Sequence, residues 1–184
     1  LSPQIRTNRG YGGQFEFAFA DRDNKTALLQ MRYFQNTDDY MRENNLKNQY
    51  IYGGTFSYIT DHIFTRGDDA KDGFYADITY MNDIEYMRLK SLNAAFNTRL
   101  YESRINYFVN GNKNYFGTYF KYYLDLSKFS NQDTFQVLPH MQYHHYTDSL
   151  FFENLLYTFD LQSKYVTRYN GYGYFQNTIS LPIG

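Results

Sequence analysis

Apolar and polar residues alternate along most of the chain with a period of two. In residues 14–20, QFEFAFA, the three side chains of Phe15, Phe17 and Phe19 share one face, while polar and small residues occupy the other. Stretches rich in Asn, Asp, Gly and Ser separate such segments and are typical of turns. The pattern predicts strands over residues 14–20, 26–34, 49–58, 73–81, 100–109, 115–126, 135–146, 153–165 and 175–183.

Consecutive strands joined by turns indicate an all-β fold, an antiparallel meander of about nine or ten long strands. The NGNK run at residues 110–113 is an Asn-Gly hairpin signal, and Gly53 and Gly54 indicate a bulge or a close approach of backbone. Residues 82–98 are compatible with strand, loop or short helix.

The length of the predicted strands changes the class of protein that we expect. Strands of soluble proteins average about five or six residues, whereas a tilted strand needs about nine to eleven to cross a membrane. Several segments reach the longer value, and their alternation suits a barrel with a wet interior and an apolar exterior. We therefore predict that residues 1–184 form a partial transmembrane domain, part of a larger outer-membrane β-barrel.

Composition agrees with this class and excludes others. Aromatic residues make up 21% of the chain, with 22 Tyr and 17 Phe, yet the mean hydropathy is −0.68. Tyrosine combines an apolar ring with a polar tip and suits surfaces between water and hydrocarbon. The net charge of −1 excludes a nucleic-acid partner on electrostatic grounds, and the absence of Cys excludes disulfides within the chain. The chain starts without Met or a signal segment, so we expect a segment of a larger protein.

Three histidines close together in sequence, His140, His144 and His145, raise the question of a metal site. In an extended segment His144 and His145 point to opposite faces, and His140 lies about 13 Å from His144 at ~3.3 Å per residue. Zinc ligands must all lie within ~2 Å of one ion. We therefore expect no metal and interpret these residues as part of a strand.

Other candidate chemistry also has a simpler interpretation. The start of a calcium-binding loop is similar to the run that contains Asp21, Asp23 and Asn24. That loop needs Gly at its sixth position and Glu at its twelfth, which here are Thr26 and Arg32. The glycine-rich runs NRGYGGQF and NGYGYF lack the strand-loop-helix context of a phosphate site, and we interpret them as turns or bulges. Acidic pairs 38–39 and 68–69 lie in polar loops. Ser149 follows the histidines in a turn predicted at residues 147–150, and no third group is positioned to activate it as a nucleophile, so we expect no enzyme and no cofactor.

Several motifs resemble one family. A Leu-Pro pair at Leu138 opens an alternating segment, the long run NLLYTFDLQSKY follows, and a further strand ends in a second apolar-Pro pair at Leu181. SPQIRTNRGYGGQFEFAF is similar to a strand entry of that family, and GFYADITYMNDIEYMRL to its strand-then-Asn-Asp segment, with Asp83 and Tyr86 at the matching places. The family is LptD, the lipopolysaccharide-assembly proteins of the outer membrane, also called organic-solvent-tolerance proteins.

The resemblance implies an internal part of a large barrel that inserts lipopolysaccharide (LPS) into the outer leaflet around a plug lipoprotein of the LptE type. The family's gate strands and disulfide cysteines have no counterpart in this chain. The family has no catalytic residue, so the resemblance implies none for this chain. The expected contacts are membrane lipid, LPS and the plug. Alternation parity leads us to hypothesise that one set of polar residues faces the barrel interior: Arg104, Lys121, Asp125, His140, Gln142, Asp160 and Lys164.

Two alternatives remain open at this stage. One is a small stand-alone barrel, a porin or an adhesin, in which the first strand would pair with the last. The other is a soluble Tyr-rich β-domain that binds carbohydrate by ring stacking. The predicted strand over residues 153–165 distinguishes the faces: Leu155, Tyr157, Phe159 and Leu161 are expected to meet lipid, and Thr158, Asp160, Gln162 and Lys164 the interior.

Overall fold

A computed structural model describes residues 1–21, 25–65, 69–90, 100–128, 130–151 and 154–184. The elements are β1 (Ser2–Arg6), β2 (Gly10–Ala20), β3 (Thr26–Asn36), α1 (Asp38–Glu43), β4 (Tyr50–Asp61), β5 (Ala70–Met81), α2 (Glu85–Lys90), β6 (Leu100–Gly111), β7 (Asn114–Asp125), β8 (Gln136–Ser149), β9 (Leu156–Thr167) and β10 (Tyr174–Ser180). Parts of four sequence predictions lie outside the described residues: Asp23 and Asn24 of the calcium-like loop, Asp68 of an acidic pair, residues 91–98 of the undecided segment, and Glu153 of a predicted strand.

All ten strands form one sheet, and each pairs antiparallel with the next along the chain. The predicted all-β meander is confirmed. Within the described ranges β1 pairs only with β2 and β10 only with β9, so the sheet has two unpaired edges, as expected from the sequence. This is not the closed arrangement that a small stand-alone barrel would require.

The strand boundaries correct several predictions. The first glycine-rich run, interpreted as a turn or bulge, forms a turn only at Asn8 and Arg9, because its residues 10–15 lie in β2, which pairs with β1 in a hairpin around residues 7–9. The predicted turn at residues 147–150 is wrong, because β8 continues to Ser149. Asp148 and Ser149 pair there with Tyr157 and Leu156, and Lys113 Nζ contacts Asp148 Oδ2 at 2.6 Å. Consequently β9 begins at Leu156, and Leu155 lies before the strand rather than on its apolar side.

One irregularity in β8 has a direct cause in its sequence. The register shifts between Val137 and His140 toward β9, and between Tyr119 and Lys121 toward β7. Pro139 lies at this point and has no backbone N–H to donate to a ladder, which confines proline in sheets to edges and bulges. The bulge therefore accommodates Pro139 inside an otherwise long central strand.

A short helix, α1, lies in the polar segment after β3, where a loop was predicted for residues 38–39. The Thr37 side chain accepts a hydrogen bond from Tyr40 N–H at the start of α1, and Asp38 and Asp39 lie in the first turn. Both features stabilise a helix N-terminus. Arg42 in the last turn forms an ion pair with Asp39. The helix buries no residue, so no hydrophobic period marks it in the sequence.

The second helix, α2, lies in the segment that the sequence left undecided. Met87 and Leu89 pack with Phe34 of β3 and Ile51 of β4, which are both fully buried, and Met81 and Tyr86 complete this core. Within the described residues, no helix is long and apolar enough to cross a membrane. The principal packed core is therefore a cluster between one helix and one face of the sheet.

Candidate functional site

The register of the strands assigns every side chain to one of two faces. Residues directly opposite each other in antiparallel strands project to the same side of the sheet. One such row across four strands joins Ser57, Asp77, Arg104 and Lys121. We call the face that bears Arg104 and Lys121 the polar face, and the opposite face the apolar face.

All seven residues that the sequence predicted to face the interior lie on the polar face. Lys121 shares this side with Tyr119, two residues earlier in β7, and Tyr119 is opposite His140, which is opposite Lys164. The full set is Arg104, Lys121, Asp125, His140, Gln142, Asp160 and Lys164. Their common parity follows from the ladder, although the structure does not bring all seven into one cluster.

Asp160 is the centre of the polar network in β8 and β9. Its carboxylate accepts hydrogen bonds from Gln142 Nε2 at 3.0 Å and Gln162 Nε2 at 3.0 Å, and its Oδ2 lies 3.2 Å from His144 Nδ1. Gln142 and Asp160 therefore do come together. The sequence set omitted His144, although its spacing of two from Gln142 places it on the same side and was a sufficient signal.

The two cations Arg104 and Lys121 are opposite each other, and each has its own compensating contact. The Arg104 guanidinium lies 4.9 Å from the Tyr75 ring centroid and donates to the Tyr75 hydroxyl at 3.3 Å. Lys121 Nζ lies 3.7 Å from Glu102 Oε1. The row is thus a surface of mixed charge rather than a concentrated cationic patch.

Asp125 has a different environment from the other six. It ends β7 and accepts hydrogen bonds from the backbone N–H of Ser127 at 3.0 Å and from the Ser127 hydroxyl at 2.6 Å. Lys128 Nζ is 3.6 Å away. These contacts shape the turn after β7, so Asp125 lies at the end of the sheet and apart from the Asp160 network.

The histidines alternate as the extended geometry predicts. His140 and His144 lie on the polar face, with the His140 ring 5.5 Å from Tyr119, while His145 lies on the opposite face. His145 Nδ1 is 2.7 Å from Asn114 Oδ1, and its Nε2 is 3.0 Å from the hydroxyl of Tyr157. Among the described residues, no three His, Asp or Glu side chains are arranged to hold a metal ion.

The apolar face carries large hydrocarbon side chains that remain open to the surroundings. Phe17 is 53% exposed and Phe175 is 68% exposed, although both lie within strands. Others on this face are also exposed: Phe15, Phe19, Met31, Phe56, Ile78, Phe116, Phe120, Met141 and Ile179. A continuous apolar surface of this kind marks an interaction with another protein or with a membrane.

Tyrosines gather on the apolar face near the end of the sheet that carries α1 and α2, which we call the helical rim. Tyr33 and Tyr50 stack with ring centroids 6.2 Å apart, and Tyr52 and Tyr80 approach to 6.5 Å. The exposed members of this group are Tyr11, Tyr33, Tyr50, Tyr52, Tyr80 and Tyr122. Rings with a polar tip are enriched where hydrocarbon meets water, so this row is the expected composition of a membrane interface.

At the helical rim, α2 lies over the polar face and is held there by buried polar contacts. Arg9 Nη2 contacts Glu85 Oε2 at 2.8 Å with both side chains about one-tenth exposed or less, and Arg9 Nε donates to Asn36 Oδ1 at 3.1 Å. Burial raises the pKa of the Tyr86 hydroxyl, which therefore stays neutral in this core. Gly53 allows the close approach, because a Cβ there would lie 2.9 Å from Tyr86 Cε2.

The fold and its two faces define a class: an all-β meander of barrel type with one apolar and one hydrogen-bonded polar side. The sequence model of the family "LPS transport system D", LptD, matches residues 50–184, and the chain belongs to that family. No curated protein and no solved structure matches the chain. The family assigns the chain a role in LPS transport and assembly, and it is a family of transport proteins rather than of enzymes.

Proposed function

We propose that the chain forms part of the wall of an outer-membrane barrel that inserts LPS into the outer leaflet, with residues 1–184 as a partial transmembrane domain. The observation that carries this proposal is the exposed apolar face, together with the hydrogen-bonded Asp160 network on the polar face of β8 and β9. In water such a face would favour aggregation, whereas in a bilayer its apolar side chains contact the hydrocarbon of the lipids.

The unpaired edges of β1 and β10 support a larger barrel. Hydrocarbon offers no hydrogen bonds, so each backbone N–H and C=O within a bilayer needs a partner in an adjacent strand. Within the described residues these edges have no such partner on their outer sides. Further strands that close the sheet would provide it, and the family's location in the outer membrane agrees with this arrangement.

We further propose that the polar face lines the interior, where it contacts the sugar-phosphate part of LPS and a plug lipoprotein of the LptE type. The Asp160 network offers both hydrogen-bond donors and acceptors, and Arg104, Lys121 and Lys164 offer positive charge to phosphate. No bond-breaking chemistry is assigned to these residues. The face acts as a hydrated wall along which a polar headgroup can exchange hydrogen bonds.

Site-specific photo-crosslinking in the full-length protein in its native membrane tests this assignment. A benzophenone amino acid replaces His140 or Gln142 on the polar face, and Met141 between them serves as the matched control on the apolar face. We expect adducts with LPS or the plug lipoprotein at positions 140 and 142. At position 141 we expect no adduct with the LPS headgroup or with the plug lipoprotein. Equal adduct patterns at all three positions would contradict the proposal.

The two alternatives lead to different outcomes. A small stand-alone barrel would migrate as a heat-modifiable species on a gel when residues 1–184 are expressed alone. A soluble carbohydrate-binding domain would stay monomeric without detergent. Either result would overturn the proposed wall segment.

A further inference from the structure

The ladder between β5 and β6 is incomplete. It runs from the Ala70–Gly111 pair to the Asp77–Arg104 pair, although β5 continues to Met81 and β6 starts at Leu100. Residues 78–81 of β5 therefore lie beside β6 without backbone pairing to it. The two strands separate at this point, in the half of the sheet nearer the helical rim.

A side chain replaces the missing backbone pair. The Ser103 hydroxyl accepts a hydrogen bond from Thr79 N–H at 3.0 Å and donates one to the Thr79 carbonyl at 3.1 Å. Both residues are buried. Because one hydroxyl satisfies both backbone groups, the strands can stand apart without leaving Thr79 unpaired.

A cleft of about 230 Å³ lies at this separation. It is lined by Ile78, Thr79, Tyr80, Ser103, Arg104, Ile105, Phe120, Tyr122 and Leu138. Six of these nine side chains are aliphatic or aromatic. Four of the six, Ile78, Tyr80, Phe120 and Tyr122, also belong to the exposed apolar face. The cleft is therefore continuous with that face.

Four polar side chains at the cleft already have partners: those of Thr79, Ser103, Arg104 and Tyr122. The Ser103 hydroxyl is engaged twice by Thr79, and the Arg104 head is directed to Tyr75 on the polar face. A buried water needs two to four polar partners, whereas an apolar cavity of ~150 Å³ stays dry and binds a small hydrocarbon. An apolar occupant thus fits the cleft better than water does.

We propose that this cleft is a binding site for one acyl chain of a membrane glycerophospholipid. The inference rests on the proposed function, because it requires that the apolar face meets the bilayer. Among the described residues that line the cleft, Arg104 is the only charged one, and its guanidinium lies over Tyr75 on the polar face, so the acyl chain and not a phosphorylated headgroup is the part that is bound. Burying methylene groups in the cleft contributes favourable transfer energy and restores contacts to its lining.

Photolabelling from the lipid side tests the site. The full-length protein is reconstituted in phosphatidylethanolamine vesicles in which some acyl chains carry a diazirine, and adducts are mapped by mass spectrometry. Ile78 and Phe120 are each 38% exposed, whereas Phe17 and Met31 on the open apolar face are each 53% exposed. We expect several-fold more adducts at Ile78 and Phe120, in spite of their smaller exposure.

A cleft-filling variant provides the control. Ile105→Trp is expected to remove the excess labelling at Phe120, whereas Ile179→Trp, on the same face but outside the cleft, should leave it unchanged. The comparison within the unmodified protein stands even if Ile105→Trp fails to fold.

The remaining outcomes separate the two proposals. Labelling that simply follows exposure would overturn the acyl site and leave the membrane wall intact. An absence of adducts at Phe17 and Met31 as well would overturn the membrane contact itself. If unlabelled LPS, but not unlabelled phosphatidylethanolamine, abolishes the additional labelling at Ile78 and Phe120, the phospholipid assignment is overturned.

Discussion

The polar face is built in two different ways in the two halves of the sheet. Across β3–β5 it carries apolar residues, Phe34, Ile51 and Met81, which α2 covers and buries. Across β8 and β9 it carries a hydrogen-bonded network centred on Asp160, and its side chains stay partly exposed. The same face is therefore a protein core where the chain covers it and a hydrated surface where it does not.

This difference shows what decides the residue types on one side of a sheet. Alternation places a side chain on a face, but its polarity follows from what lies against that face. Where a connection folds back, burial of hydrocarbon stabilises the structure. Where none does, polar groups that bond one another and water are retained.

The largest effect is expected from Phe34→Ala in the covered half. Phe34 is fully buried under α2, and truncating a buried Phe costs about 3–5 kcal/mol in the free energy of unfolding. Phe15→Ala, on the neighbouring strand and 43% exposed on the apolar face, should cost less. Urea titration of the full-length protein in vesicles measures both, and equal losses would contradict the covered core.

Breaking the buried ion pair at the helical rim is expected to cost about 3 kcal/mol. Glu85→Gln leaves the Arg9 guanidinium buried without a countercharge, which is more damaging than removing both charges. The double variant Arg9→Met, Glu85→Gln should therefore recover part of the loss in the same titration. Arg88 is the more exposed ion-pair partner of Glu85, and Arg88→Ala should cost less than about 1 kcal/mol, as is typical of surface ion pairs.

A methyl group under α2 is expected to have an intermediate effect. In Gly53→Ala the new Cβ would lie 2.5 Å from the Tyr80 carbonyl oxygen and 2.9 Å from the Tyr86 ring, so strand or helix must shift, at about 1–3 kcal/mol. Gly54→Ala points to the apolar face, where the nearest atom, Gln30 O, is 3.1 Å away. Its smaller loss is the control, and the reverse order would contradict the position of α2.

The smallest effect is expected in the uncovered half. Asp160→Asn replaces a carboxylate acceptor by an amide whose NH2 group must face either Gln142 and His144 or the donor of Gln162, at about 1 kcal/mol. Thr178→Asn, exposed on the same face of β10, should leave stability unchanged. A loss as large as that of Phe34→Ala would mean that this network is a core rather than a hydrated surface.

Strand existence, order and faces could be predicted because a period of two is a direct consequence of extended backbone. The sharing of one face by His140, Gln142 and Lys164 follows from it. Phe34 and Ile51 could not be assigned to a core in this way, because their burial depends on α2, which is distant in sequence. α1 was missed because it buries nothing, and β1 because it is short and contains Pro3 at the edge of the sheet.

The asymmetry between the faces is the central claim, and two adjacent exposed residues of β2 test it most directly. Phe17 lies on the apolar face and Ala18 on the polar face, and both are open to the surroundings. If the apolar face meets water, exposure makes arginine tolerable at both positions. If it meets hydrocarbon, only position 18 tolerates it.

Folding of the full-length protein into lipid vesicles, measured for Phe17→Arg and Ala18→Arg, distinguishes these cases. We predict that Phe17→Arg loses about 2–4 kcal/mol, the cost of arginine near the bilayer midplane, and that Ala18→Arg folds like the unmodified protein. Equal tolerance of arginine at both positions would contradict the account, because neither face would then contact the bilayer.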